Sequence, residues 1–170
     1  MINREENIAF LLTGSNLGNR LQNLSQAHYF IAQELGSIVT ASSIYQTAPW
    51  GLENQEAFLN QVLKLETTLL PNELLEAVLT IEKKMGRVRQ QHWGSRLIDI
   101  DMLFFNEEII TTEVLTLPHP YLHQRNFVLV PMAEISPYWQ HPIYGRTIEE
   151  LVEECGDALA VELYEVAQMR

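Results

Sequence analysis

The stretch Leu97-Ile98-Asp99-Ile100-Asp101-Met102-Leu103-Phe104-Phe105 constrains the fold most. Apolar residues recur at every second position, the period of a β-strand. Ile98, Ile100, Met102 and Phe104 then form a core face, so this strand needs a sheet beside it and a packing layer beneath it. Asp99 and Asp101 share the opposite face, about 6.6 Å apart along the strand. Two carboxylates that close resist joint ionisation unless a cation relieves the repulsion. Magnesium takes one or two carboxylates and completes its octahedron with water and phosphate oxygens. The plainer alternative is a pair of surface aspartates bridged to arginine.

Other elements follow from periodicity and punctuation. Ile8–Leu12 reads as a buried strand, followed by a turn-rich loop, Thr13-Gly14-Ser15-Asn16-Leu17-Gly18-Asn19. The stripe Leu21, Leu24, His28, Ile31, Leu35 predicts a helix over 20–35, closed by Gly36. Residues 38–45 read as a second strand, 46–56 as a long loop and 57–67 as a third strand. In that third strand Phe58, Asn60, Val62 and Lys64 lie on one side. A second helix begins at Pro71, with Leu74, Val78, Ile81 and Met85 inward, and ends at Gly86. A polar loop over 87–95 leads into the diacid strand. The order β-α-β-β-α-β predicts an α+β, ferredoxin-like core: a mainly antiparallel sheet with helices packed on it. Short C-terminal additions follow, with helices near 128–134 and 147–154. The 170 residues read as one domain, with no internal repeat.

Composition narrows the function. Eleven Lys and Arg against 22 Asp and Glu leave a formal charge of −11. That disfavours nucleic acid and anionic membranes as partners. The single Cys155 builds no intramolecular disulfide and no cysteine zinc site. The run Ile8–Leu12 is too short for a signal-peptide core or a membrane span, so a cytoplasmic protein is expected. Neither a P-loop nor a G-x-S-x-G motif is present.

Against that acidic background, Lys83, Lys84, Arg87, Arg89 and Arg96 crowd into fourteen residues, with His92 and Trp93 among them. Guanidinium forks suit phosphate oxygens. With the aspartate pair beside them, they point to phosphoryl or diphosphoryl transfer. The alternative is a solvated loop balancing nearby acid. Phe58 and Asn60 share a strand face, where a flat ring could stack and have its edge read by an amide. A core aromatic beside a turn-capping amide is the competing reading. His119, between Pro118 and Pro120, sits in an extended segment and could donate to a phosphate.

In order along the chain, these blocks resemble 6-hydroxymethyl-7,8-dihydropterin pyrophosphokinases of folate biosynthesis. The likeness runs from about Ile8 to Pro137. It rests on Thr13–Gly18, Tyr45–Gly51, Phe58-Leu59-Asn60, Glu82 with Gly86-Arg87-Val88-Arg89, Trp93-Gly94-Ser95-Arg96, Asp99-Ile100-Asp101, Leu117–Pro120 and Arg125-Asn126-Phe127. The resemblance implies diphosphate transfer from ATP to the pterin hydroxymethyl group, releasing AMP, in a monomer or weak homodimer. It implies Asp99 and Asp101 as ligands of two Mg²⁺ ions, and Arg87 and Arg96 as phosphate clamps. Glu82, Arg89, His92, Trp93, Thr116, His119 and Arg125 would lie around ATP. Thr47, Pro49, Trp50, Phe58, Asn60 and Phe127 would hold the pterin. The chain departs from the family pattern at Ser95 (usually proline), at His92 and Val114 (arginine in some members) and at Phe58 (tyrosine in some). Two rivals remain at this level: another two-metal phosphotransferase or phosphodiesterase, and a non-catalytic ferredoxin-like binding module.

Overall fold

The structure, a computed structural model, describes residues 4–47, 56–86 and 97–164. Its elements run β1 (Asn7–Ser15), α1 (Arg20–Glu34), β2 (Ser37–Ala41), β3 (Tyr45–Thr47), β4 (Phe58–Thr67), α2 (Pro71–Lys84) and β5 (Asp99–Phe105). A small hairpin of β6 (Ile110–Thr111) and β7 (Thr116–Leu117) follows, then α3 (Asn126–Ile135), α4 (Ile148–Glu154) and β8 (Val161–Leu163). The main sheet is antiparallel, in the order β5-β1-β4-β3-β8, with β2 also paired to β4. No helix among the described residues is long and apolar enough to cross a membrane.

The α+β class and the antiparallel sheet agree with expectation, and the strict six-element order is modified. The single strand expected over 38–45 is two strands, β2 and β3. Ser42 breaks it: its hydroxyl accepts from Val62 N at 2.9 Å, and its carbonyl accepts from Gln61 Nε2 at 2.8 Å. Side-chain bonds thus replace part of the strand ladder. The sheet also gains β8, which the sequence did not announce.

Each face of the sheet has its own core. On one side Leu11, Leu63, Leu65 and Ile100 meet Leu24, Ala27 and Ile31 of α1 and Leu74, Val78 and Ile81 of α2. On the other, Phe10, Val62 and Phe104 meet Leu129 and Met132 of α3 and Ile148 and Leu151 of α4. Trp139 adds an edge contact to the Phe10 ring at 4.8 Å between centroids. His28 is half-buried at the margin of α1, whose buried stripe is completed by Ala27 instead.

One expected face assignment is corrected. Ile98, Ile100 and Met102 enter the first core, but Phe104 enters the second together with Leu103. The pairing shifts at this point, where Phe10 faces Phe104 and Leu11 faces Met102. The extra residue is a β-bulge, which resets the side-chain alternation. It lies beyond the acids, so Asp99 and Asp101 keep their shared face.

The helix ends follow local chemistry. Asn19 accepts from Gln22 N at 3.1 Å to start α1. Leu70 offers α2 no side-chain cap, but Glu73 accepts from Leu70 N at 2.9 Å and so closes half of a capping box. After α1 the chain passes tightly over β4. A Cβ at Gly36 would sit 2.1 Å from the carbonyl oxygen of Glu66. Gly36→Ala should therefore cost about 3 kcal/mol of stability, the upper range for overpacking against a rigid neighbour. The midpoint of a urea unfolding curve checks this, and a midpoint at the parent value would show that the turn can yield.

Candidate active site

The sheet register brings the key residues of the second face into two rows. In one, Asn60 of β4 faces Gly14 of β1, which faces Asp99 of β5. In the next, Val62 faces Leu12, which faces Asp101. Phe58 lies further along β4, opposite Thr47 of β3. Directly paired residues share a face, so an aromatic ring, an amide and two carboxylates line up on one surface.

A cavity of about 510 Å³ opens over these rows. Its floor is Leu12, Gly14, Thr47, Phe58, Asn60, Asp99 and Asp101, and its far wall is Tyr121, Gln124, Arg125, Phe127, Asp157 and Leu159. Volume and lining suit a small molecule: apolar and aromatic surface with a few convergent polar groups.

Gly14 was expected in a tight turn, but it lies inside β1. A Cβ there would stand 2.6 Å from Asn60 Nδ2. The missing side chain makes room for the amide. Asn60 itself is 5% exposed, and its contacts within the chain are long: Thr47 Oγ1 and Thr13 O, each at 3.4 Å. Its donor and acceptor capacity is therefore largely available toward the cavity. The base of this corner is anchored from α3. Glu134 accepts from Ser43 N at 2.7 Å and from the Tyr45 hydroxyl. Burial and that carboxylate push the Tyr45 phenol up to about 12.

Asp99 is half-buried and Asp101 is exposed. Between them, Ile100 N donates to Glu82 Oε2 at 2.8 Å. Glu82 is 3% exposed, so α2 uses a buried carboxylate to hold the strand that presents both acids. Among the described residues no group of three or more His, Cys, Asp or Glu gathers as a metal cage. A two-carboxylate set nevertheless fits magnesium, which keeps several positions for water and phosphate.

Arg125 lies on the cavity wall, its guanidinium 5.1 Å from the Tyr121 ring centroid and 5.7 Å from that of Phe127. Thr116 is exposed on β7, opposite Thr111, and is not part of the cavity wall. His119 also lies off that wall, with its backbone N donating to Leu103 O at 2.9 Å. Its Nδ1 accepts from Tyr121 N at 3.3 Å, which leaves the proton on Nε2 and makes that atom the donor. Burial, and then the charge of Arg125, lower its pKa to about 4. Pro49, Trp50, Arg87, Arg89, His92, Trp93 and Arg96 lie outside the described residues. Tyr121, Gln124, Asp157 and Leu159 were not foreseen. Tyr121 and Gln124 flank the recognised Arg125, a proximity that could have flagged them.

The family model for 7,8-dihydro-6-hydroxymethylpterin-pyrophosphokinase (HPPK) matches residues 10–137. The chain belongs to the HPPK family. Among its relatives is a 2-amino-4-hydroxy-6-hydroxymethyldihydropteridine pyrophosphokinase of Bacillus subtilis, 48% identical over 76% of this chain and 78% of the relative. One of Aquifex aeolicus is 42% identical over 85% of this chain and 90% of the relative. In fold, the chain superimposes on a crystal structure of Plasmodium falciparum HPPK-DHPS with a TM-score of 0.74 and 18% identity. That match covers 89% of this chain and 44% of the longer Plasmodium polypeptide. The HPPK match includes every floor residue of the cavity and stops short of Asp157 and Leu159.

Two histidines, His119 half-buried and His141 buried, set an acid limit on this fold. His141, 2% exposed, uses Nδ1 to accept from Ile143 N at 3.2 Å and Tyr144 N at 3.4 Å. Burial, and then His123 beside it, lower its pKa to about 4, as for His119. A histidine whose folded pKa lies below its unfolded value takes up protons preferentially in the unfolded chain. Its contribution is complete above the unfolded value of about 6.5 and is lost as the pH falls through the folded value of about 4. The melting temperature should therefore begin to drop below about pH 6.5, ahead of the carboxylate range. Replacing both residues by Gln should flatten the curve between about pH 6.5 and about pH 5. An unchanged slope in that variant would assign the drop to other groups.

Proposed function

We propose that this protein transfers diphosphate from ATP to the hydroxymethyl group of 6-hydroxymethyl-7,8-dihydropterin and releases AMP. The observation that carries the reading is a single cavity floor. It places Phe58, Thr47 and Asn60, suited to a flat heteroaromatic ring, beside Asp99 and Asp101, suited to phosphate-bound cations. A phosphodiesterase or a bare binding module has no use for both halves. The names of the relatives, and membership of their family, support the same substrates.

In this reading Asp99 and Asp101 hold two Mg²⁺ ions, which bring Lewis-acid charge neutralisation to the phosphates. The remaining work belongs to the chain. Phe58 and Phe127 supply ring surface on the floor and the far wall, and Asn60 and Thr47 read the pterin edge with paired donors and acceptors. Such positioning converts an encounter between two substrates into a reaction within one complex. The hydroxymethyl oxygen then attacks the β-phosphorus in line, and its hydroxyl proton is released to bulk water with the products. The bond from that phosphorus to the α,β-bridging oxygen breaks, and the electron pair leaves with AMP. Arg125, held over two rings, brings fixed positive charge to the same wall, and neutral His119 offers Nε2–H as a donor. Glu82 acts on this chemistry by fastening the backbone between the two acids. Arg87 and Arg96 are assigned to the phosphates, with Arg89, His92, Trp93 and Thr116 around the nucleotide and Pro49 and Trp50 beside the pterin. Water competes for the same phosphorus, so transfer to the pterin requires the reacting oxygen to be held closer than solvent.

The test is direct. Protein, Mg·ATP and the hydroxymethyl-dihydropterin are mixed and the nucleotides separated. AMP should appear in step with pterin diphosphate, and only when the pterin is present. ADP as the nucleotide product, or AMP independent of the pterin, would replace this reading with a hydrolase or a different kinase.

A further inference from the structure

The HPPK match ends at residue 137, but the cavity does not. Asp157 and Leu159 complete its far wall from the segment between α4 and β8. Asp157 is wired to the start of α3 by two contacts. Its Oδ2 accepts from Asn126 N at 3.0 Å, and its backbone oxygen accepts from Asn126 Nδ2 at 3.1 Å. Its Oδ1 accepts from Leu159 N at 3.0 Å, which shapes the strap itself.

Asn126 is the first residue of α3, and the preceding Arg125 provides no side-chain cap. The opening turn of a helix presents amides without partners inside the helix. Asp157 supplies the acceptor from far along the chain, and its negative charge suits that helix end. Asn126 also stands between Arg125 and Phe127, both on the cavity wall. Fixing its amide fixes the backbone that aims a guanidinium and an aromatic ring into the site.

The strap is tied at both ends. Upstream, Ile148 and Leu151 bury α4 in the second core. Downstream, β8 pairs with β3, with Val161 opposite Thr47, and Tyr164 N donates to Ile44 O at 2.8 Å. Thr47 in turn faces Phe58. One continuous segment therefore links the wall carrying Phe127 to the strand beside Phe58.

We propose that Asp157 is a positioning residue for the acceptor ring, holding Phe127 in place through the Asn126 amide, with Leu159 as apolar wall. This rests on the pterin reading of the cavity. The comparison uses Asp157→Ala, and Asp157→Asn, which keeps one acceptor oxygen. In Asp157→Ala the amides of Asn126 and Phe127 should exchange with solvent about tenfold faster, the size of one charge-assisted hydrogen bond, while exchange in α1 and α2 is unchanged. The pterin KM should rise by about tenfold with kcat within about twofold, and Asp157→Asn should recover most of the loss. Parent-like exchange at Asn126 overturns the proposal. Faster exchange with an unchanged pterin KM overturns the link to the ring. A parent protein that makes no AMP from ATP and the pterin fails the functional reading separately, and the exchange rates still decide whether Asp157 holds α3.

Discussion

Asp99→Asn and Asp101→Asn should each reduce AMP formation by about 10³-fold or more, equivalent to about 4 kcal/mol of lost transition-state stabilisation. Asn keeps the shape and one carbonyl oxygen but removes the charge that draws a dication. Both side chains face the cavity and neither belongs to an apolar core. The fold should therefore survive, and with one charge gone the repulsion between neighbours on one strand face falls. The melting temperature of each variant should stay close to the parent value. The two losses should not add, because residues acting on one reacting group act as a unit. Pterin binding measured without magnesium should be nearly unaffected, since the residues proposed to read the ring are untouched. Substantial turnover in either variant would remove the metal-holding role from that carboxylate. Loss of fold in both would make the acids structural.

The diacid face, both long helices and the three long strands were legible because each carries a strong local period. The errors have local causes too. Strict alternation puts Phe104 in the first core, but a bulge between the Phe10 and Leu11 pairings adds one residue that alternation has no means of marking. Ser42 and Ser43 are tolerable in strands, so 38–45 reads as one continuous strand. Only the folded chain shows that Ser42 bonds Val62 and that Glu134 receives Ser43 and Tyr45. Gly14 read as a turn residue from its neighbours Ser15, Asn16 and Gly18, whereas its reason lies across the sheet in Asn60. Glu82 was placed with the nucleotide by resemblance, and its buried bond to Ile100 N adds a strand-holding role. Asp157 had no legible signal at all. One acid in an acidic C-terminal segment acquires meaning only when tertiary packing sets it against the start of a helix distant in sequence.

Gly14→Ala provides the sharpest test of the ring-reading half of the site. The added methyl would stand 2.6 Å from Asn60 Nδ2, closer than carbon and nitrogen tolerate, while its next neighbour, Leu59 O, is at 3.7 Å. Something must move, and the end of the Asn60 side chain is the cheapest group to displace. The backbone of β1 is locked on both sides by β4 and β5, so the strand cannot retreat. Asn60 would swing from its place opposite Thr47 Oγ1 and no longer present its amide edge. Losing a buried donor–acceptor pair to the ligand costs about 2–3 kcal/mol, so pterin affinity should fall by about 100-fold. Global stability should fall much less, because a side-chain end yields and no core methyl is lost. Asn60→Ala combined with Gly14→Ala separates the effects. With the amide already removed the methyl keeps only an ordinary contact with Leu59 O at 3.7 Å, so the double variant should bind pterin no worse than Asn60→Ala alone. A further loss on adding the methyl would mean that Gly14 itself lies against the ligand, and parent-like affinity in Gly14→Ala would show that the amide does not read the ring.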